Sequence, residues 1–170
     1  MIDMTNLNRN IKILKVTINI GCGESGEKLE RAKKLLEKLT SKKAIITNTH
    51  GRTKFGMAKG RPIGVKITLR GPAALEFLKK ALESRDLKIP AKCFDNQGNF
   101  AFGVREHIDL PGVRYDPDIG IFGMDVCITL ERPGFSISRC RISKQVGHSH
   151  RIKSDEAREW AITNLGVKVD

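Results

Sequence analysis

The residues of this chain best suited to chemistry are its clustered cations. Residues 41–70 contain eight Lys and Arg and no Asp or Glu, and residues 132–153 contain six more cations and again no acid. The rest of the chain is close to neutral, so the formal net charge of +12 is concentrated in these two stretches. Concentrated positive charge attracts a polyanion and releases its counterions. The pattern therefore predicts a protein that binds nucleic acid.

The segment 50–61 is the most distinctive part of the first stretch. Its cations alternate with glycines, which let a backbone bend and approach closely, and two apolar side chains lie among them. We expect RNA contacts from Arg52, Lys54, Phe55, Lys59 and Arg61. The alternative is a flexible hairpin linker whose Phe55 packs back onto the core.

Two flanking segments alternate with the period of a β-strand, residues 12–20 and 62–70. Lys15 and Asn19 of the first and Lys66 and Arg70 of the second fall on the polar side of that alternation. Lys and Arg neutralise phosphate, whereas Asn and Thr hydrogen bond to phosphate and sugar. If the two strands lie near each other, these four residues are predicted to share an RNA-binding sheet face; the alternative is an ordinary solvated face.

The second cationic stretch, residues 132–153, is too basic and too rich in Gly, Ser and His to be expected to pack. We predict an extended loop that forms a second contact region, for RNA or for a neighbouring protein. Its candidate residues are Arg139, Arg141, Lys144, His148 and Arg151. His148 and His150 alone are a weak basis for a metal site, and we expect no metal.

Two motifs suggest rival functions. Gly21, Gly23 and Gly26 form a GxGxxG between a predicted strand and helix, as in a nucleotide-dependent oxidoreductase. The acid expected about 20 residues later is missing, and Glu24 would repel a pyrophosphate. Residues 98–104 loosely resemble the aromatic strand of an RNA-recognition module for single strands, but Phe100 and Phe102 are more simply explained as core. We find no catalytic set and expect neither an enzyme nor a cofactor.

The elements that would position these residues follow the order β-α-β-β-α-β-β-α. We predict strands at 12–20, 44–47, 62–70, 100–107 and 124–131. Helices are predicted from about Ser25 to Leu39, from Pro72 to near Ser84 with Leu75 on its buried side, and after a capping Ser154 up to Gly166. This order predicts an α+β sandwich of two layers, with helices on one face of a mostly antiparallel sheet and long basic loops.

Length and composition favour a single domain spanning 1–170. The four cysteines lack zinc-site spacing and are expected to be reduced thiols of a soluble intracellular protein. No apolar run approaches the roughly 20 residues that a membrane span needs, so no membrane partner is expected.

Several segments together resemble a known family. VTINIGCGE (16–24) resembles the NIGxGE signature of the "L five" family of large-subunit ribosomal proteins, which bind 5S rRNA. GRPIGVKITLRG (60–71), FDNQGNFAFGVREHIDLPGVRYDP (94–117) and GIFGMDVCITLERPG (120–134) match in order. VGHSHRIKSDEAREW (146–160) resembles the archaeal and eukaryotic branch, in particular archaeal members.

The resemblance implies a fold and a set of partners. The fold would be a curved antiparallel sheet with helices on one side. The protein would be a cytoplasmic ribosomal constituent that helps anchor 5S rRNA in the central protuberance, touches 23S rRNA and neighbouring large-subunit proteins, and meets a small-subunit protein across an intersubunit bridge. The family's basic loop corresponds to about 49–61 and would approach tRNA in the peptidyl site. Residues 47–50 are less basic than is usual for the family.

Overall fold

The structure, a computed structural model, describes residues 6–52 and 58–169. The strands in these residues are β1 (Lys12–Gly21), β2 (Ile45–Asn48), β3 (Pro62–Leu69), β4 (Lys88–Ile89), β5 (Phe100–Val104), β6 (Met124–Glu131) and β7 (Lys168–Val169). The helices are α1 (Glu27–Thr40), α2 (Pro72–Glu83) and α3 (Ser154–Leu165).

Five strands form one antiparallel sheet in the order β2-β3-β1-β6-β5. Its central strand β1 pairs Ile18 with Ile67 of β3 on one side and with Val126 of β6 on the other. Because side chains alternate between the faces of a strand, this register gathers the apolar residues of three strands on one face. The α+β class with an antiparallel sheet is thus confirmed.

The apolar face of the sheet is buried beneath α1 and α2. The Leu and Ala residues of α1 recur every three or four positions, as in an amphipathic helix that packs one side against a sheet. Leu29, Ala32, Leu35 and Leu36 are all buried and belong to the same core as β1 and β3. Each fully buried Leu or Ile stabilises the fold by roughly 1.5–3 kcal/mol relative to exposure. The helical layer therefore holds the apolar face of the sheet inward and leaves the polar face outward.

Two details of the helices predicted from the sequence differ in the structure. Leu75 was expected on the buried side of α2 but is 43% exposed, because Phe77 and the small Ala74 occupy that side. Ser154 is the first residue of α3 and does not cap it. The cap position belongs to Lys153, whose backbone N–H donates to Glu156 Oε2 at 3.0 Å.

Beyond Val104 the predicted strand 100–107 ends early. His107 begins a 3-10 turn, and its backbone N–H donates to the Phe122 carbonyl at 3.0 Å. The two-residue strands β4 and β7 pair in parallel and were not predicted. Strands this short carry too little alternation to be recognised in a sequence.

Candidate nucleic-acid interface

The face of the sheet opposite α1 and α2 carries polar or small side chains on its four adjacent strands β3, β1, β6 and β5. We call it the outer face and define it by Lys15, Thr17, Asn19, Lys66, Thr68, Ala101, Asp125 and Cys127, together with Arg70 directly after β3. Its residues on β3, β5 and β6 are exposed and those on β1 are half-buried, whereas the intervening residues of each strand belong to the core. The alternation that builds the core therefore also builds a broad surface open to a ligand.

Cross-strand register arranges the outer face in rows. Asn19 lies between Lys66 of β3 and Asp125 of β6, and Gly103 of β5 is opposite Asp125. The next row consists of Thr68, Thr17, Cys127 and Ala101. The first row offers a cation, an amide and a carboxylate side by side. The second row carries only small side chains. Such a surface can hydrogen bond along RNA while leaving room for its backbone.

The four sheet residues predicted from the sequence do come together. Lys15 pairs with Thr129 of β6, and Arg70 directly follows Leu69, the partner of Val16. Lys66 and Arg70 are exposed, while Lys15 and Asn19 are half-buried. Among residues 6–52 and 58–169, no ion pair involves Lys15, Lys66 or Arg70. Their charges remain available to phosphate.

Sequence reasoning overlooked the contribution of β6 to this face. Asp125 and Cys127 alternate with the buried Val126 and Ile128, so the period-two pattern within 124–131 contained the signal. Although Cys127 is exposed, neighbouring atoms partly shield its thiol from water, and this desolvation, with a smaller effect of the charge of Asp125, raises the pKa of the thiol. The thiol thus stays neutral at physiological pH and does not add a negative charge to a phosphate-binding surface.

Loop 49–61 is closed at its base by Thr49, which is buried. The Thr49 hydroxyl donates to the Ala58 carbonyl at 2.8 Å and accepts from the Arg61 backbone N–H at 3.0 Å. The Thr49 backbone N–H also donates to the Arg61 carbonyl at 2.9 Å. Residues 47–50 are less basic than is usual for the family, and one of them, Thr49, holds the two ends of the loop together through these hydrogen bonds.

The cations of this loop are placed only in part by the structure. Arg52, Lys59 and Arg61 are exposed beside the fastened base, where each is accessible to a polyanion. Lys54 and Phe55 lie outside the described residues, so their predicted RNA contacts stay predictions. The two alternatives for Phe55 therefore also stay open.

The second contact region is folded more tightly than its composition suggested. Residues Phe135–Ser138 and His148–His150 form 3-10 turns, and Ile152 is buried. The expectation that 132–153 would not pack is wrong at Arg132, which is only 6% exposed. Its Nη2 lies 3.2 Å from Glu156 Oε1, and its Nε–H donates to the Arg9 carbonyl at 3.1 Å.

The candidate residues of this region fall into two groups. Arg139 pairs with Glu131 at 2.6 Å, and Arg151 Nε donates to the Val146 carbonyl at 3.1 Å. Arg141, Lys144 and His148 are exposed. Glu131 and Glu156 both flank the acid-free stretch, so counting charges within it overestimated the free positive charge. Arg132 is a structural cation and Arg139 a partly neutralised one.

The rival motifs have structural explanations. The backbone N–H groups of Cys22 and Gly23 donate to the Ile63 carbonyl at 2.9 and 3.1 Å, so they are not free to hold a pyrophosphate. Phe100 and Phe102 are buried, as their alternative explanation predicted, and Phe100 stacks on Phe94 at 5.0 Å. The part of the chain that the structure describes contains no group of three or more metal-ligating side chains.

Two family models match the chain over complementary ranges. The model described as ribosomal protein L5 matches residues 6–52, and the model of the C-terminus of the same ribosomal family matches residues 62–159. Curated relatives named "Large ribosomal subunit protein uL5" include those of Sulfolobus acidocaldarius (46% identical, 96% of this chain, 93% of the relative) and Archaeoglobus fulgidus (48%, 95%, 91%). The relative from Nanoarchaeum equitans is 46% identical over 95% of this chain and 96% of its own.

In the residues that the structure describes, an exposed polar sheet face beside basic segments is the surface expected of an RNA-binding protein. The matches make the assignment specific: the chain belongs to the uL5 family of large-subunit ribosomal proteins. Its members are structural ribosomal proteins, which confirms the prediction of a non-enzymatic ribosomal constituent. Within the described residues, no helix combines the length and apolarity needed to cross a membrane.

Proposed function

We propose that this ribosomal protein binds 5S rRNA through its outer face and helps attach it in the central protuberance of the large subunit. The row Lys66–Asn19–Asp125 carries the proposal. Lys66 neutralises a phosphate, Asn19 donates or accepts at sugar or base, and Asp125 accepts from a base amine or a 2′-hydroxyl. The carboxylate of Asp125 would repel a second phosphate and instead accept a hydrogen bond from a hydroxyl or an amine. Folded RNA presents both groups, as 2′-hydroxyls and base amines.

The two basic loops extend this proposal to further partners. Loop 49–61 is closed at its base by Thr49, and its Arg52, Lys59 and Arg61 are exposed, so we assign to it the contact with peptidyl-site tRNA. Region 132–153 is assigned to 23S rRNA and neighbouring large-subunit proteins, and to the bridge with a small-subunit protein. Its exposed Arg141 and Lys144 suit phosphate, and the 80% exposed Ile142 suits an apolar protein contact.

Charge reversal on the outer face tests the central assignment. The double variant Lys66→Glu, Arg70→Glu should weaken 5S rRNA binding by at least about 100-fold at 100 mM KCl, since two phosphate contacts become repulsive. The slope of log affinity against log salt should flatten by roughly one unit per lost contact. Filter binding over a KCl series measures both quantities.

The control variant carries the same charge change on the helical layer. Lys34 of α1 and Lys79 of α2 are exposed on the opposite side of the sheet. Lys34→Glu, Lys79→Glu should bind nearly as the wild type does, apart from a small long-range effect. Equal weakening by both double variants would contradict the assignment of the outer face, and salt-independent binding would contradict the electrostatic basis.

A further inference from the structure

A cavity of about 710 Å³ opens where the outer face meets the region 132–153. One wall is formed by Lys15 and Thr129, which continue the rows of the outer face, and the opposite wall by Gln145 and Val146. The turn around Asn96 closes a third side. The cavity lies within the roughly 300–1,000 Å³ range of sites that hold a small molecule.

The lining of this cavity combines three chemistries. Its apolar part consists of Leu14, Leu130, Phe135, Val146 and Ile152. Its amide side chains are Asn96, Gln97, Asn99 and Gln145, and its cations are Lys15, Arg139 and Arg151, of which Arg139 is paired with Glu131, also part of the lining. Apolar surface suits the face of a base, carboxamides match the paired donors and acceptors of a base edge, and cations suit a phosphate.

The amides of the cavity have hydrogen-bonding capacity to spare. Among the described residues, the side chains of Asn96, Gln97 and Gln145 make no hydrogen bond, and all three are exposed. Asn99 accepts the Leu130 backbone N–H through Oδ1 at 3.3 Å. Its NH₂ group makes no hydrogen bond among the described residues and can still donate one. These carboxamides can both donate and accept hydrogen bonds, and they surround the apolar part of the lining. Recognition of a base edge requires this combination.

The walls of the cavity are held in place by internal contacts. Arg132 ties the start of region 132–153 to the carbonyls of His150 and Arg151, at 3.4 Å each. His150 Nε2 donates to the Pro133 carbonyl at 2.9 Å, and its ring meets Phe135 edge to face at 5.6 Å. The site is therefore largely pre-formed, which lowers the entropic cost of binding.

We propose that this cavity receives one unstacked nucleotide of the RNA that lies on the outer face. The proposal rests on the proposed RNA-binding function and adds a point of base recognition to it. An RNA strand that crosses the row of Lys15 and Thr129 reaches the mouth of the cavity directly. Sequence-specific RNA recognition uses splayed bases of this kind, held between apolar groups and read along their edges.

The test combines affinity with chemical probing of 5S rRNA at nucleotide resolution. Wild-type protein should alter the reactivity of one base strongly, in addition to the broad backbone footprint of the outer face. The variant Asn96→Ala, Gln145→Ala should restore the free-RNA reactivity of that base alone. It should lower affinity by about 10- to 100-fold with an unchanged salt slope, because no charge is removed.

The control is Asn164→Ala, which removes an exposed amide from α3, away from the cavity, and should behave as the wild type. If the wild type binds 5S rRNA but the double variant keeps both affinity and footprint, the nucleotide pocket is refuted while the RNA-binding function stands. If the wild type fails to bind, both proposals fall. Tight binding of a free nucleoside 5′-monophosphate, with no base of the RNA responding to the variant, would also overturn the proposal.

Discussion

Arg132 shows how a residue type can mislead about its role. It belongs to a stretch rich in cations, yet its guanidinium is buried and satisfied by three backbone carbonyls and Glu156. Burial alone would raise the pKa of Glu156, but its hydrogen bonds with the Lys153 backbone and with Arg132, together with their charges, hold that pKa below its ordinary value. The pair thus joins region 132–153 to the start of α3.

Replacing this arginine should cost stability. Arg132→Met keeps much of the side-chain volume but leaves carbonyls and a carboxylate without their partner, so we expect a loss of about 2–3 kcal/mol in the free energy of unfolding. Urea denaturation measures the loss. The exposed Arg141→Met is the matched control, expected within about 0.5 kcal/mol of the wild type. Similar values for the two variants would contradict the structural role of Arg132.

His107 predicts a pH dependence of stability. It is 1% exposed, and its Nδ1 accepts the Phe122 backbone N–H at 3.4 Å. Burial lowers the pKa of His107, against a smaller opposite effect of the charge of Glu106. The unfolded chain therefore takes up a proton near pH 6.5 while the folded chain does so only at lower pH.

The stabilising contribution of neutral His107 should be complete above about pH 6.5 and decline as pH falls through the lowered pKa of the folded state. His107→Gln should flatten that decline between about pH 7 and 5.5, whatever its effect on stability at neutral pH. Urea denaturation across this range measures it. His148→Gln, at an exposed site, should retain the wild-type pH profile, and an unflattened His107→Gln profile would contradict the assignment.

At the scale of elements, Thr49 determines how loop 49–61 leaves the sheet. Thr49→Val preserves shape and removes both hydroxyl hydrogen bonds, so we expect a local loss of about 1–2 kcal/mol. Amide hydrogen exchange at Arg61, the donor to that hydroxyl, should accelerate roughly 5- to 30-fold, while exchange in β1 stays unchanged. Thr68→Val on the outer face of β3 is a control without this linkage. An unchanged exchange rate at Arg61 would show that the hydroxyl does not close the loop.

Local patterns predicted most of these elements, and long-range pairing explains what they missed. β1 and β3 were predicted because apolar and polar residues alternate along most of each strand, and residues 124–131 were also predicted as a strand. The placement of β6 beside β1 joins residues more than a hundred positions apart, which alternation within one strand does not encode. Asp125 beside Asn19, and Glu156 beside Arg132, were missed for the same reason.

The candidate site also has a part that local sequence patterns predicted and a part that required the tertiary structure. Parity placed Lys15, Asn19, Lys66 and Arg70 on the polar sides of their strands, because strands with a buried side must expose the other. That the two polar sides form one face follows from the pairing of β1 with β3. The cavity beside them needed tertiary structure, since its walls come from β1, β6, the turn at Asn96 and region 132–153. Uncharged amides such as Gln145 also carry no signal in a charge count.

For the whole molecule, the question is whether binding depends on total charge or on its placement. A net charge of +12 on 170 residues would attract any polyanion weakly. The structure places exposed cations on the outer face, in loop 49–61 and in region 132–153, and others, such as Lys34 and Lys79, on the helical layer on the other side of the sheet. If placement matters, equal charge changes in different groups should weaken binding to different RNAs.

Two variants with the same change of charge separate these cases. Lys66→Glu, Arg70→Glu alters the outer face, and Arg52→Glu, Lys54→Glu alters loop 49–61. The first should weaken 5S rRNA binding strongly and the second by less than about threefold, because only the first reverses charges at the phosphate contacts proposed for 5S rRNA. In ribosomes assembled with each protein, the loop variant should reduce peptidyl-site tRNA occupancy while retaining 5S rRNA. Filter binding and subunit reconstitution measure the two effects.

If both variants weakened the binding of both RNAs equally, total charge would govern binding. The assignment of 5S rRNA to the outer face and of tRNA to loop 49–61 would then be wrong.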